Sequence, residues 1–169
     1  MSKDEKPKAE IALEWWKANI HPRDTKSRAR ALGARLRRGS QTKVLCEPEV
    51  HDLAKSLRFG PYRSDLIYRL VTILAEVREN DGRSLASIIG AGDKKLSPAR
   101  FERLMRADDD TAIDYIRRAI IASGRRCNVR QLAGDILYWN EQTKSRWCFD
   151  YFGHSNATSE TDTSKDIES

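Results

Sequence analysis

The chain is poor in the residues that build covalent frameworks, metal sites and membrane spans. Its three cysteines are odd in number and widely separated, which favours reduced structural thiols over a disulfide framework or a zinc cage. Its longest apolar run, residues 66–77, is interrupted by an arginine and a threonine and is shorter than the roughly 18 residues that a membrane span requires. Residues 1–10 alternate lysine with acidic residues and lack the apolar core of a secretory signal. We therefore expect a cytoplasmic protein without a membrane-spanning helix.

The sequence also lacks the motifs that carry catalysis. It contains no HxxxH or CxxC pattern, no glycine-rich phosphate loop after a strand, and no serine or cysteine in a nucleophile elbow. The run Asp108–Asp110 has the composition of a magnesium site, but its position before residues 111–113 is typical of a helix N-cap, which is the interpretation we prefer. We therefore expect no enzymatic activity, no metal and no cofactor.

Apolar positions recur at three- and four-residue spacing along most of the chain and predict an all-α fold. The pattern is strongest at residues 62–78, which we expect to form the longest helix and the centre of the core. Further helices are expected at residues 9–20, 26–37, 48–57, 84–89, 98–106, 108–122, 128–137 and 141–151. The expected fold is a compact bundle of eight to nine helices, or two small helical lobes that share an interface. The helical domain is expected at residues 9–153, with a flexible N-terminus at 1–8 and a disordered acidic tail at 154–169.

Positive charge is concentrated in one short segment of the chain. The net charge is +6, and residues 21–40 alone hold seven cations against one aspartate. Residues 155–169 carry a net charge of −3. Arginines outnumber lysines by 20 to 11, and the planar guanidinium group matches the oxygens of a phosphate. This composition indicates a surface that binds the backbone of a nucleic acid.

Two groups of arginines are the candidate contacts. The first lies on the helix predicted at residues 26–37, where a thin apolar stripe faces the core, and its alternative is an ordinary solvated helix face. The second lies between residues 100 and 130, where carboxylates at positions 102, 108 and 114 can neutralise several of its members. The predicted phosphate contacts are Arg28, Arg30, Arg37, Arg38, Arg106, Arg117, Arg118, Arg125 and Arg126. The aromatic residues Trp15, Trp16, Tyr138 and Trp139 are interpreted as core side chains rather than as platforms for stacked bases.

Four motifs occur in order between residues 84 and 152: SLA at 84–86, FERLMRAD at 101–108, IRRAI at 116–120 and LYW at 137–139. Together with Trp15–Trp16 and the arginine-rich segment 28–38, they make the chain resemble the CasB family, the small subunit of the type I-E CRISPR Cascade complex. The resemblance implies a non-catalytic helical protein with two copies per complex. Its implied partners are the repeating backbone subunits, the large subunit, the guide RNA and the target DNA with its displaced strand.

The hypothesis from sequence is that the selected arginines contact phosphates of the target or displaced strand. Reversing the charge of Arg117 and Arg118 is expected to weaken binding of target DNA by the assembled complex, with little effect on folding. One alternative is a free-standing helix-turn-helix regulator, because residues 84–106 contain short helices joined by a glycine-containing turn. Another is an adaptor whose arginines bind acidic proteins.

Overall fold

The N-terminal half of the described chain, which covers residues 5–153 in this computed structural model, contains four helices. They are α1 (Lys8–Asn19), α2 (Ser27–Arg38), α3 (Gln41–Val44) and α4 (Pro48–Leu57), with a 3-10 turn at His21–Asp24 between α1 and α2. The predicted acidic tail at 154–169 lies outside the described residues, as do residues 1–4.

The C-terminal half contributes six helices and one short parallel strand pair. The helices are α5 (Ser64–Leu74), α6 (Leu85–Gly90), α7 (Pro98–Arg106), α8 (Asp109–Ala122), α9 (Val129–Leu137) and α10 (Glu141–Tyr151). The strands are β1 (Glu79–Asn80) and β2 (Arg126–Cys127), and Glu79 lies opposite Arg126. The prediction of an all-α fold is therefore confirmed, with ten α-helices in residues 5–153 rather than eight to nine.

Polar side chains at the N-caps determine where most of the C-terminal helices begin. Each accepts a hydrogen bond from the backbone N–H three residues later, and these caps are Ser84, Ser97, Asp108, Asn128 and Asn140. The Asp108 carboxylate accepts from the backbone N–H of Thr111 at 2.8 Å. Hydrogen bonds from the Thr111 hydroxyl and N–H lower the pKa of Asp108. The interpretation of this aspartate as a helix cap is thus confirmed.

One core joins all parts of the bundle. Buried side chains form a contiguous cluster that runs from Ala12 in α1 to Tyr151 in α10, so the described chain has one core rather than two lobes. The indole N–H of Trp15 donates to the carbonyl of Glu49 at 2.8 Å, and that of Trp16 donates to the carbonyl of Val77 at 3.1 Å. The two tryptophans are therefore core residues, as predicted. Tyr138 is not, since 57% of its surface is exposed.

The central helix α5 is shorter than predicted. It ends at Leu74 rather than near residue 78, and α8, with 14 residues, is longer. The chain beyond α5 leaves the helical path because the backbone N–H groups of Arg78 and Glu79 donate to the carbonyl of Arg125, at 2.8 and 3.2 Å. Pairing with a segment 47 residues away thus replaces the last helical turn.

Candidate nucleic-acid interface

A single buried carboxylate, Glu76, lies beneath several of the predicted contact arginines. Arg117 donates to its Oε1 through Nε at 3.2 Å and through Nη2 at 2.9 Å, and Nη1 of Arg125 donates to its Oε2 at 2.5 Å. Only 4% of the Glu76 side chain is exposed, against 26% for each arginine. Nη2 of Arg117 also donates to the carbonyl of Arg37 at 2.6 Å. The carboxylate therefore ties α8 and the following loop to the end of α5, and Arg117 also ties α8 to α2.

Three further arginines belong to the same region: Arg37 and Arg78 interact electrostatically with this carboxylate, and Arg23 repels both of them. Nη1 of Arg37 donates to the carbonyl of Ala75 at 3.3 Å. Burial lowers the pKa of Arg37, Glu76 opposes this change, and repulsion from Arg23 and other cations adds to it. We call Arg23, Arg37, Arg78, Arg117 and Arg125, together with Glu76, the Glu76 cluster.

Positive charge exceeds negative charge in the Glu76 cluster. The pKa of Arg78 is also lowered, first by burial and then by repulsion from Arg23 and Arg125. Besides Glu76, the exposed Asp24 opposes this change in the pKa of Arg78, and its carboxylate lies 4.0 Å from Nε of Arg23. Such an excess of cations in one place is unfavourable until an anion binds to it.

The chain after α8 reaches the cluster through an unusual backbone turn. Gly124 has φ +81° and Arg125 has φ +60°, so both residues occupy the left-handed backbone region that residues other than glycine rarely adopt. This turn points the Arg125 carbonyl at the N–H groups of Arg78 and Glu79 and brings the Arg125 guanidinium to Glu76. The hydrogen bonds and the ion pair offset the strain.

A second basic surface lies between α7 and α8. We call it the arginine groove, and it has a volume of about 440 Å³ and is lined by Leu96, Arg100, Arg103, Tyr115, Arg118 and Ala122. The Arg118 guanidinium lies over the ring of Tyr115, 5.8 Å from its centroid. None of the three arginines forms an ion pair with a residue in the range 5–153. Because Arg117 and Arg118 are consecutive residues of α8, the arginine groove and the Glu76 cluster meet on that helix.

The other predicted contacts lie outside both surfaces. Three of them already have acidic partners: Arg28 pairs with Glu49 at 2.9 Å, Arg106 with Glu102 at 3.5 Å, and Arg126 with Glu79 at 2.9 Å. Hydrogen bonding to Arg28 lowers the pKa of the buried Glu49, so this pair stabilises the fold. The remaining two are exposed: Nε of Arg30 donates to the carbonyl of Arg23, and Arg38 lines an apolar hollow beside α3.

Four residues of the two surfaces, and the dependence of Glu76 on Arg117, were not predicted from the sequence. Arg23 and Arg78 belong to the Glu76 cluster, and Arg100 and Arg103 line the arginine groove, but none was selected as a contact. Glu76 was the available signal, because a carboxylate inside a buried apolar run requires cationic partners. The expectation that reversing Arg117 would leave folding intact is revised, since that change would place a second carboxylate against Glu76.

Two features of residues 5–153 bear on other classes of protein. No group of three histidine, cysteine, aspartate or glutamate side chains within residues 5–153 is arranged to hold a metal ion. No helix in that range has both the length and the apolar character needed to cross a bilayer.

Comparison with known proteins agrees with the fold and with the sequence motifs. Residues 32–152, more than two thirds of the chain, match the family model of the CRISPR-associated protein Cse2. The crystal structure of CasB from Thermus thermophilus superposes with a TM-score of 0.66 at 22% sequence identity, covering 90% of this chain and 99% of that one. At this identity the likeness shows a shared fold. No curated protein matches the chain significantly. The chain therefore belongs to the Cse2 (CasB) family of CRISPR-associated proteins, which are structural subunits of the multi-subunit Cascade complex.

Proposed function

We propose that the chain is the non-catalytic small subunit of a type I-E Cascade, which binds nucleic-acid backbone and stabilises the loop formed by guide RNA, target DNA and the displaced strand. The observation that carries this proposal is the Glu76 cluster. Arg117 and Arg125 pair there with one buried carboxylate, and burial followed by repulsion from neighbouring cations lowers the pKa of Arg37 and Arg78. A polyanion is the ligand that best neutralises such a surface.

The chemistry of the surface favours phosphate over bases. Arginine donates hydrogen bonds in a planar fork that fits phosphate oxygens, and each neutralised phosphate releases counterions. Trp15 and Trp16 are buried, and every member of the Glu76 cluster is an arginine or a glutamate, so the cluster itself offers no ring for stacking. Binding through the Glu76 cluster would therefore be insensitive to sequence, which is what a subunit needs when base pairing with the guide supplies the specificity.

Modest backbone contacts are sufficient for this role. Replacing duplex DNA by an RNA–DNA heteroduplex is nearly balanced in free energy, so a few phosphate contacts can shift the equilibrium toward the open loop. The arginines would hold the target or displaced strand, while other surfaces contact the backbone subunits, the large subunit and a second copy of this chain. Guide RNA and target DNA are thus the proposed ligands, and the cytoplasm is the proposed place of action.

The helix-turn-helix alternative fits the packing poorly. In that motif two adjacent helices pack together across a turn of three to four residues. Here residues 91–97 separate α6 from α7, and α6 packs mainly against α10 and α8. Four of the six residues of α6 are buried. We therefore favour the Cascade subunit.

The experiment uses Arg23 and Arg78, two of the three cluster arginines that make no ion pair with Glu76. The double variant R23Q/R78Q, assembled into the complex, is expected to bind target DNA about tenfold more weakly. The slope of log K against log salt should become shallower by about 1.8 if two phosphate contacts are lost. Electrophoretic mobility shifts across a salt series measure both quantities.

The matched control removes two exposed cations from the end of α4. The double variant K55Q/R58Q changes the net charge equally but should retain the affinity and the salt slope of the parent complex. Equal affinity and equal slope for R23Q/R78Q and the parent would contradict the proposed role of the Glu76 cluster.

A further inference from the structure

The arginine groove keeps its charge although carboxylates lie close by. Arg100, Arg103 and Arg118 are exposed and have no ion pair within residues 5–153. Two carboxylates of the adjoining hollow, which Arg103 also lines, are already engaged: Glu102 pairs with Arg106 and Asp108 caps α8. The groove therefore presents three uncompensated guanidinium groups.

The last described helix ends beside this groove. The hydroxyl of Tyr151 donates to the carbonyl of Leu96 at 2.6 Å, and Leu96 lines the groove. The Tyr151 ring stacks on Phe101, with 4.0 Å between the centroids, and Phe101 is the neighbour of Arg100 on α7. Residues 154–169 therefore begin three positions after a side chain that touches the groove wall.

The charge and length of residues 154–169 complement the groove. This segment holds Glu160, Asp162, Asp166 and Glu168 against Lys165, a net charge of −3 that opposes the three arginines. Sixteen residues can span at most about 55 Å, which exceeds the distance across a domain of this size. All four carboxylates can therefore reach the arginine groove.

We propose that residues 154–169 dock on the arginine groove through their carboxylates and compete there with nucleic-acid phosphates. The docking itself does not depend on the proposed function, whereas the competition with nucleic acid rests on that function. A tethered segment acts at an effective concentration in the millimolar range, so even a weak contact is populated. The contact is electrostatic and exposed, and salt therefore weakens it. The docked segment weakens the binding of unrelated single strands. In the assembled complex, the larger area of contact with nucleic acid displaces the segment.

The first experiment detects docking without nucleic acid. The full chain is compared with a variant whose four tail carboxylates are neutralised, E160Q/D162N/D166N/E168Q. Docking predicts that the NMR signals of the Arg100, Arg103 and Arg118 side chains differ between the two proteins at about 50 mM salt and converge as salt is raised. Identical signals at low salt would overturn the proposal.

The second experiment measures the competition as a double-mutant cycle. Binding of labelled oligothymidine is measured for the isolated full chain with the native or the neutral tail. Each tail is combined with the native groove or with R100Q/R103Q/R118Q. Neutralising the tail should tighten binding about two- to tenfold with the native groove, given millimolar effective concentration, and should have no effect in the groove variant.

A matched control removes the same charge elsewhere. In the K55Q/R58Q/R63Q background, tail neutralisation should tighten binding as much as in the parent chain. Equal tightening in the groove variant would mean that only the net charge matters, and it would overturn the proposal. Failure of every variant to bind oligothymidine would count against the proposed function, and the NMR comparison would still decide whether the tail docks.

Discussion

Arg117 and Arg118 are neighbours on α8 with opposite roles, and substituting each by glutamine should separate folding from binding. Arg117 makes two hydrogen bonds to Oε1 of the buried Glu76 and a third to the carbonyl of Arg37. Arg118 is exposed, and its guanidinium lies over the ring of Tyr115. R117Q should therefore destabilise the protein, whereas R118Q should leave its stability unchanged.

The magnitude follows from the burial of Glu76. Removing one partner of a buried ion pair costs about 3–5 kcal/mol when the remaining charge is left alone. Arg125 still pairs with Glu76 in R117Q, so we expect a loss of about 2–4 kcal/mol. For a chain of this length, that loss lowers the melting temperature by about 5–15 °C. An exposed substitution such as R118Q should stay within about 0.5 kcal/mol of the parent.

Urea unfolding and thermal unfolding, both followed by far-ultraviolet circular dichroism, measure these changes. The R117K variant is a useful control, because it retains the charge but loses the fork that contacts both Glu76 and the carbonyl of Arg37. It should fall between R117Q and the parent. Equal stability of R117Q and R118Q would refute the reasoning that Glu76 depends on Arg117 in the folded protein.

Three further predictions concern other parts of the fold. G90A should lower the unfolding free energy by about 2–4 kcal/mol in urea titrations, because a methyl group at Gly90 would collide with the backbone of α10. Hydrogen bonds from Arg83 lower the pKa of Asp81 to about 2, so Asp81 stabilises the fold above its ordinary pKa of 3.8, and this contribution is lost as the pH falls toward 2. D81N should therefore flatten the acidic part of the stability profile. Cys46 is exposed, while burial raises the pKa of the Cys127 thiol to about 12, so a thiol reagent should modify Cys46 first.

Each of these predictions has a direct control. G82A adds a methyl group where nothing lies within 4 Å and should not destabilise through a clash, so equal losses for G82A and G90A would contradict the steric argument. D52N removes an exposed carboxylate, and an equally flattened profile for D52N would contradict the role of Asp81. Peptide mapping after brief labelling identifies the modified thiol, and early labelling of Cys127 would show that the core opens readily.

The helices of this protein could be predicted because their signals are local. A cap such as Ser97 followed by Pro98 marks a helix start within a few residues, and the structure begins α7 there. The end of α5 could not be predicted, since residues 75–78 continue the helical apolar pattern. Only pairing with the distant Arg125 carbonyl diverts the backbone.

The candidate site was predicted only in part, because the sequence shows the arginine content but not which distant side chains pair. Composition alone indicated arginines as the functional residues, and Arg37, Arg117 and Arg125 do converge. The sequence could not show that Arg28 pairs with Glu49 and Arg126 with Glu79, or that Arg23 and Arg78 join the cluster. Those relations depend on which helix faces meet.

The sequence by itself determined the all-α class, most helix starts, the buried stripes and the excess of arginine, because each of these follows from the order of residues along a few turns of chain. Tertiary structure alone decided which guanidinium groups are bound to carboxylates and which remain available, because an ion pair such as Arg117 with Glu76 joins side chains 41 positions apart. The net charge follows from composition, whereas the number of guanidinium groups without an ionic partner depends on how the helices pack.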